Sequence, residues 1–518
     1  MKAARLDFFL CASSGIVLAL AYPRVSFFLG AWFALVPLLW SLRRAETAKD
    51  AVRRAAIAGA CFFFFSLSWL RFVTVFGWLF VAAFETLFFC LLGALLYQAL
   101  RLRHLPLRAA AAAAAWMLVE ILRSELPVFG LGWNLLAYSQ TPWLQGIQAA
   151  SFLGAYGLGF LMFTANVLLF EALGIFFSSK GLGSGCFKTR AARGAAALIA
   201  ALMIPGLLAL YGNDALRRAD PSSADSLRVS VIQGNIPQSV KWEVMAREQI
   251  LQIYSKLTEL ASYDVPDLIL WPEASFPGFF NVDGEAKRVI EDVQRFHTPL
   301  VVGAPFFESR KKVYNSAYLV DAQGVIRTVH HKLKLVPFGE YVPLGALLAW
   351  LEPIAETLGV SDFSAGRSRT VFELQEPKIP FSVLICFEDA FPRLALSFAQ
   401  QGPRFFAVMT NDAWFGASGA PYQHLQASVF RALETGLPIV RAANTGVSAV
   451  ISRRGEILGK VEREGRDIFV TGYKTVSVPL ENGPTFYLRG GWILPYAAAF
   501  AAALFFSGLY LRSRPKTD

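Results

Sequence analysis

Cysteine is scarce. The 518-residue chain has five, Cys11, Cys61, Cys90, Cys186 and Cys386, and no two stand at a CxxC or other metal-type spacing. Neither a disulfide framework nor a metal site is indicated. Charge is scarce as well: Asp, Glu, Lys and Arg make up 17% of the chain against 55% hydrophobic residues, too apolar for one ordinary soluble domain. The net charge of +11 could mark a nucleic-acid binder. Here, however, Lys and Arg stand in blocks beside apolar stretches, which is the pattern of membrane topology, and no nucleic-acid partner is expected.

The apolar residues are unevenly spread. Residues 1–212 read as a membrane domain, 221–487 as a soluble domain, and 490–511 as one more span. Segments of spanning length begin near Asp7, Ser26, Ala55, Gly77, Arg108, Ala150, Gly194 and Gly490, giving about eight spans in a polytopic α-helical bundle. The alanine run Ala109 to Ala115 suits a soluble helix equally well. Alternate connections hold 17 Lys and Arg, from Lys2 and Arg5 through the groups at 43–54, 101–108 and 180–193 to Arg512, Arg514 and Lys516. The short loops between them hold 3: Arg24, Arg71 and Arg123. Under the positive-inside rule both termini are cytoplasmic and the large domain is exported. A competing reading makes the first segment a cleaved signal peptide ending in Ala19-Leu20-Ala21; the later charge alternation places the large domain on the same face either way.

From Arg228 onward short β-rich runs alternate with amphipathic helices, which predicts an α/β or layered αββα domain. The expected strands are Val229–Gln233, Leu268–Trp271, Leu300–Gly303, Ala317–Asp321, Phe381–Ile385, Phe406–Thr410 and Val447–Ile451. The expected helices are Glu243–Ala261, with Ile250, Ile253, Tyr254, Leu257 and Leu260 along one face, and Gln423–Glu434.

Three strand ends carry polar residues that folding alone would not put there. Glu273 follows Leu268-Ile269-Leu270-Trp271-Pro272. Lys332 and Lys334 alternate with apolar residues ahead of the Pro337-Phe338-Gly339-Glu340 turn. Cys386 ends Phe381-Ser382-Val383-Leu384-Ile385 and precedes Glu388 and Asp389. Taken singly these are a loop carboxylate, the solvent face of an edge strand and a small core residue. Together they carry more weight, because Cys386 is the only cysteine in the exported part and a lone thiol in an oxidising compartment suggests a reactive one. Acyl transfer through a thiol needs a base to take its proton and a cation or donor to hold the oxyanion. Glu273, its pKa raised by burial toward working pH, and Lys332 could supply both. His330, His331 or His424 could instead be the base of a Cys-His pair, and on the residues alone that alternative stays open.

The exported half resembles the nitrilase superfamily through WPEAS around Glu273, HKLKLVPFGEYVP containing Lys332, and ICFED around Cys386. More narrowly, nearly the whole chain resembles the apolipoprotein N-acyltransferase family through QGNIPQSVKW (233–242), PFGEYVP, NDAWFG (411–416) and RAANTG (441–446), with AYSQ (137–140) in the membrane half. Phe387 stands where that family often has tyrosine, and Ala137 where it often has glycine.

The resemblance implies a nitrilase-like αββα sandwich on a membrane bundle in a bacterial inner membrane, with the catalytic domain periplasmic. It implies Glu273, Lys332 and Cys386 as catalytic residues, no cofactor, and transfer of an acyl chain from a phospholipid donor, through a Cys386 thioester, to the α-amine of a diacylated apolipoprotein. Glu340 and Glu388 are expected to support the site, and Trp242, Asn411 and Trp414 to line it. The stretch from Val342 to Arg369 is expected to be an apolar arm that dips into lipid and gates access, with an ordinary packed helix of the soluble domain as the alternative. The rival functions are a membrane-anchored nitrilase-type amidase using the same residues, and a transporter or lipid receptor in which Glu85 and Glu120, read as lacking cationic partners, mark a pathway.

Overall fold

The computed structural model describes residues 2–178, 184–218, 225–310, 312–343, 362–480 and 483–513. Most of the expected arm, residues 344–361, lies outside the described residues. Two compact units emerge: residues 1–125, 132–218 and 489–518, and residues 126–131 with 219–488.

Among the described residues of the first unit, five helices are long and apolar enough to cross a membrane: Val75–Ala99, Leu105–Glu125, Ala150–Phe177, Thr189–Arg217 and Tyr487–Arg512. The other three expected spans are less regular. Lys2–Leu20 and Ala48–Ser66 are helices of 19 residues each, and the second carries Asp50, Arg53 and Arg54 in its first turns. The stretch expected from Ser26 is broken into a 3₁₀ turn at Phe28–Trp32 and a helix at Val36–Arg43, which carries Pro37 in its first turn, where proline is tolerated. The alanine run falls inside Leu105–Glu125, where its best-of-all helix propensity and small size let neighbours pack closely.

The basic segments meet at one end of this unit. Arg44 and Arg54 pair with Asp7 at 2.7 and 3.1 Å, Arg101 donates to the Ala45 carbonyl at 2.6 Å, and Arg108 pairs with Glu171 at 2.8 Å. Arg123 corrects the sequence reading. It is a buried residue in the last turn of its helix, not a loop charge, and it pairs with Glu85 at 3.4 Å while donating to the carbonyls of Trp133 and Asn134 at 2.9 Å each. Glu85 therefore does have a cationic partner at its own depth. Glu120 accepts from the Leu136 amide at 2.7 Å. Arg123 and Glu85 thus pair inside the bundle, as buried charges in an apolar medium do.

The second unit is a sandwich of two six-stranded sheets. The first sheet contains β1 (Asp225–Gln233), β2 (Leu268–Leu270), β3 (Leu300–Ser309), β4 (Lys312–Val320), β5 (Ile326–His331) and β12 (Gly472–Leu480), in the order β12-β1-β2-β3-β4-β5. The second contains β6 (Val371–Leu374), β7 (Ile379–Ile385), β8 (Phe406–Thr410), β9 (Ile439–Ala443), β10 (Ala449–Ile451) and β11 (Ile457–Lys460), in the order β11-β10-β9-β8-β7-β6. Alternate side chains of the two sheets, among them Val229, Val231, Leu270 and Val301 from one and Phe381, Val383, Met409 and Val440 from the other, form a continuous buried core. Helices Arg247–Ser262 and Ala286–Phe296 bury Ile250, Tyr254, Leu257, Val289 and Val293 on the first sheet's outer face, alongside Trp271. Helices Pro392–Ala399 and Ala420–Thr435 belong to the second sheet.

Each sheet has a parallel centre, β1-β2-β3 in one and β7-β8-β9 in the other. Parallel strands deliver their carboxyl ends to the same side, where the loops are free to carry chemistry. Glu273 follows β2, Cys386 follows β7 and Asn411 follows β8.

Candidate active site

Cys386 is held by a sharp turn. β7 ends at Ile385, and Cys386 takes φ = 56° as the chain enters a 3₁₀ turn over Cys386–Ala390. A non-glycine residue in the left-handed region is strained, and here the surroundings hold it. Glu388 reaches back to accept from the Ile385 amide at 2.8 Å, and its other oxygen accepts from the amides of Leu333 and Lys334 at 2.7 and 3.1 Å. One buried carboxylate thus ties the cysteine turn to the segment that carries Lys332.

Lys332 lies one residue beyond β5 and is 1% exposed. This corrects the edge-strand picture, in which it would face solvent. Its ammonium lies between two carboxylates, 3.3 Å from Glu273 and 2.9 Å from Glu340. The Asn315 amide bridges the same pair at 2.8 and 2.9 Å, and the second Glu340 oxygen caps the Val336 amide at 2.8 Å. The Glu273 charge bears directly on the Cys386 thiol, and the Thr410 hydroxyl approaches its sulfur at 3.5 Å. Glu273, Lys332, Cys386, Glu340 and Glu388 are therefore brought together. The backbone at Glu273 is braced by Gly303 of β3, where a Cβ would fall 2.3 Å from the Pro272 carbonyl oxygen and 2.9 Å from the Glu273 Cα. Gly303→Ala should cost about 1–3 kcal/mol and displace Glu273; a lowered thermal midpoint together with reduced turnover would show both effects.

The remaining candidates are placed differently. Trp242 and Trp414 are 48% and 44% exposed, large apolar surfaces open to a ligand. Asn411 is buried, and its amide is engaged with Gln238 at 2.8 Å and Asn444 at 2.9 Å, so it holds loops together instead of facing a ligand. Lys241 escaped the sequence reading. It is 3% exposed and donates to the Glu273 carbonyl at 3.1 Å. A lysine in a stretch without strand or helix pattern gives no sign of burial; its place beside Trp242 in QSVKW was the available signal.

Known proteins resemble the chain along nearly its whole length. The apolipoprotein N-acyltransferase N-terminal domain family matches residues 14–168 and the carbon-nitrogen hydrolase family matches residues 228–477. An apolipoprotein N-acyltransferase from Geobacter metallireducens is 33% identical over 96% of this chain and 94% of its own. One from Rhodopseudomonas palustris is 32% identical over 97% and 98%, and one from Chlorobaculum tepidum 27% over 94% of each. The chain belongs to the apolipoprotein N-acyltransferase family.

In this family member the electrostatics of the site differ from the sequence expectation in one respect. Burial alone would raise the Glu273 carboxyl, but the ammonium groups of Lys332 and Lys241, with the Asn315 amide, outweigh it and hold its pKa below the usual value. Burial also works against the Lys332 ammonium, yet Glu273 and Glu340 keep it well above the ordinary lysine range. Burial brings Lys241 down to about 8 against the pull of Glu273. Low-dielectric surroundings, then the Glu273 charge, push the Cys386 thiol well above its usual value. The resting state is a neutral thiol facing an ionised carboxylate. Burial brings Glu388 up to about 7 despite the three amides it binds.

The histidine alternative fails on geometry. His330 is buried against Thr370 at 3.2 Å, with burial holding it down to about 3, and His331 bonds to Ser316 at 2.7 Å. His424 is nearer to Cys386, but it meets the cysteine's backbone carbonyl at 3.3 Å, not its sulfur. Its two nitrogens face Asp389 and Asp412, each at 2.9 Å, and Arg441 pairs with the same aspartates at 3.0 and 3.5 Å. Burial and Arg441 work against its positive charge, but the two aspartates outweigh them and bring its pKa up to about 9. His424 is thus a buried imidazolium that props the cysteine turn from behind, and it has no free nitrogen to act as a base.

A histidine whose folded pKa lies above its unfolded value of 6.5 contributes stability that is complete below pH 6.5 and lost as pH rises through about 9. That shift corresponds to about 3 kcal/mol. The thermal midpoint of the detergent-solubilised protein should therefore fall between pH 6.5 and 9.5. His424→Gln, which leaves Arg441 as the one cation paired with Asp389 and Asp412 among the described residues, should lower the midpoint at pH 7 and flatten that decline.

Proposed function

We propose that this protein is an apolipoprotein N-acyltransferase that moves a fatty acyl chain from phospholipid to the α-amine of an N-terminal diacylglyceryl-cysteine. The single observation that carries this reading is the family relationship over both halves of the chain, membrane bundle and carbon-nitrogen hydrolase sandwich together.

In the first step Glu273 accepts the Cys386 proton and the thiolate sulfur attacks the ester carbonyl of a phospholipid. Lys332 neutralises the oxyanion that forms. The C–O bond breaks, and the departing lysophospholipid oxygen takes the proton back from Glu273, leaving a Cys386 thioester. In the second step the lipoprotein amine attacks the thioester carbonyl, Glu273 accepts an amine proton, and the C–S bond breaks to give the amide; that proton returns to the sulfur. Glu340 holds Lys332 from its far side, and Glu388 positions both Cys386 and the Lys332 segment. Trp242 and Trp414 offer apolar surface to acyl chains, and Asn411 keeps the loops between them in place.

Lys2–Leu20, Phe28–Arg43 and Ala48–Ser66 join the five longer helices to make eight spans of a bacterial inner membrane, with both termini cytoplasmic. Residues 1–212 and 490–511 form the membrane part, and residues 221–487 form the catalytic domain on the periplasmic face. Both substrates are lipids held in a bilayer, and anchoring raises their effective concentration at the site.

The test is to incubate purified protein with acyl-labelled phospholipid and a diacylated lipoprotein. Label on the lipoprotein amine supports the reading. A thioester that drains to free fatty acid while acceptor is present would instead make the protein a membrane-anchored hydrolase.

A further inference from the structure

The basic end of the first unit holds a cleft of about 490 Å³ that the acyl-transfer chemistry does not use. Arg43 and Arg44, at the end of helix Val36–Arg43, face Arg190 and Arg193 across it. Trp40 and Phe170 line the same cleft and meet edge to face at 6.0 Å. Trp40 also meets Phe177 at 5.9 Å, and Phe177 is exposed, so the apolar wall continues outward from the cleft.

The charge in this cleft is not cancelled from within. Glu171, its one lining carboxylate, is held by Arg108 at 2.8 Å. Asp7 is shared between Arg44 at 2.7 Å and Arg54 at 3.1 Å, and Asp50 takes the other side of Arg54 at 2.7 Å. Arg43 donates to the Leu100 carbonyl, which carries no full charge. Arg190 and Arg193 lie one turn apart and exposed, and among the described residues they face no carboxylate within ion-pair distance. Among the described residues that line the cleft, four arginines thus stand against one carboxylate.

Guanidinium groups converging on a cleft bind phosphate oxygens bidentately. A soluble polyanion would have no use for an exposed aromatic wall beside that charge, whereas a molecule with a phosphate head and acyl chains uses both. Basic clefts between membrane helices are suited to acidic lipid headgroups. We infer that this cleft holds one anionic phospholipid as a resident lipid, its phosphate against Arg43, Arg190 and Arg193 and its acyl chain along Trp40, Phe170 and Phe177. The lipid is inferred as a resident one and not as the acyl donor, because none of the residues proposed for acyl transfer lines the cleft.

The test uses the full chain, purified and reconstituted in vesicles of phosphatidylcholine containing phosphatidylglycerol, then re-extracted and weighed intact with its bound lipid. Wild type is expected to retain one phosphatidylglycerol in preference to phosphatidylcholine. Arg190→Ala with Arg193→Ala should weaken that retention about 25-fold, at roughly fivefold per basic residue. Arg190→Lys with Arg193→Lys should fall between wild type and the alanine pair, keeping the charge and losing the bidentate fork, and Cys386→Ala should keep all of it. Equal retention of the two lipids by wild type overturns the inference, a comparison that stands even if the alanine pair fails to fold. So does a folded alanine pair that retains as much as wild type, or inorganic phosphate raising the thermal midpoint of delipidated protein as far as phosphatidylglycerol does.

Discussion

Cys386→Ala is expected to abolish the acyl-enzyme and to lower acyl transfer by a factor on the order of 10⁴ or more, because removing a nucleophile leaves only what binding and oxyanion stabilisation can do alone. Geometry supports so large an effect. Cys386 stands at the tip of β7 with a strained φ of 56°, its sulfur within reach of Thr410 and under the charge of Glu273. Cys11, Cys61 and Cys90 lie in the other unit, so they remain as internal controls for non-specific thiol labelling. The variant should still fold: alanine has the same backbone strain at this φ, and the loss amounts to one weak sulfur contact. The measurement is label from phospholipid that stays on the protein and is released by hydroxylamine. Labelled Cys386→Ala protein would mean that another group carries the acyl chain.

Much of this site was legible before the fold was known, but unequally so. The one thiol of residues 221–487, at a strand tip, could be singled out because one rare residue type stood at the end of an unmistakable apolar run. Glu273 and Lys332 depended on resemblance, since a carboxylate after a strand and a lysine in an alternating segment have ordinary explanations. Lys332 looked like solvent-face alternation because β5 ends at His331, one residue too early for any local pattern to show. β9 was missed because its centre is Arg441, whose charge breaks an apolar run and is met by Asp389 and Asp412, distant in the chain. β12 was missed for a related reason: it pairs antiparallel with β1 across more than two hundred residues, and its side chains are mostly half-exposed. In the membrane half, Arg123 looked like a loop charge because the charge alternation placed it there, whereas its pairing with Glu85 is a contact between two helices.

The sign of the Glu273 shift was wrong for the same reason. Burial, which a sequence can suggest, would raise it; Lys241 and Lys332, which only the folded chain brings within range, lower it. Such a carboxylate is a weak base toward a thiol whose own pKa is raised. Free thiolate should therefore be sparse in the resting enzyme, and proton transfer must accompany attack on the ester. One consequence is that pH should affect the rate less through the thiol than through Lys241, whose charge is lost near pH 8.

Glu273→Gln isolates the base. The amide keeps the size of the carboxylate and can still accept from Asn315, but it cannot take a proton, so formation of the Cys386 thioester should fall by about 10²–10⁴-fold. The substitution also leaves Lys332 with Glu340 as its only carboxylate within 4 Å among the described residues, and removes the charge that Lys241 faces. Breaking a buried charge pair from one side costs about 3–5 kcal/mol when nothing else compensates; Glu340 at 2.9 Å from Lys332 should keep the cost below that range. Without Glu273, the Lys241 ammonium loses its main support and should deprotonate at lower pH, which relieves part of the strain. The two effects are separable by measuring the thermal midpoint beside the single-turnover rate of acylation. A variant that keeps its midpoint within a few degrees and loses acylation identifies Glu273 as the proton acceptor. One that acylates normally but transfers slowly would confine the carboxylate to the amine step, and one that does both at the wild-type rate would remove it from the chemistry altogether.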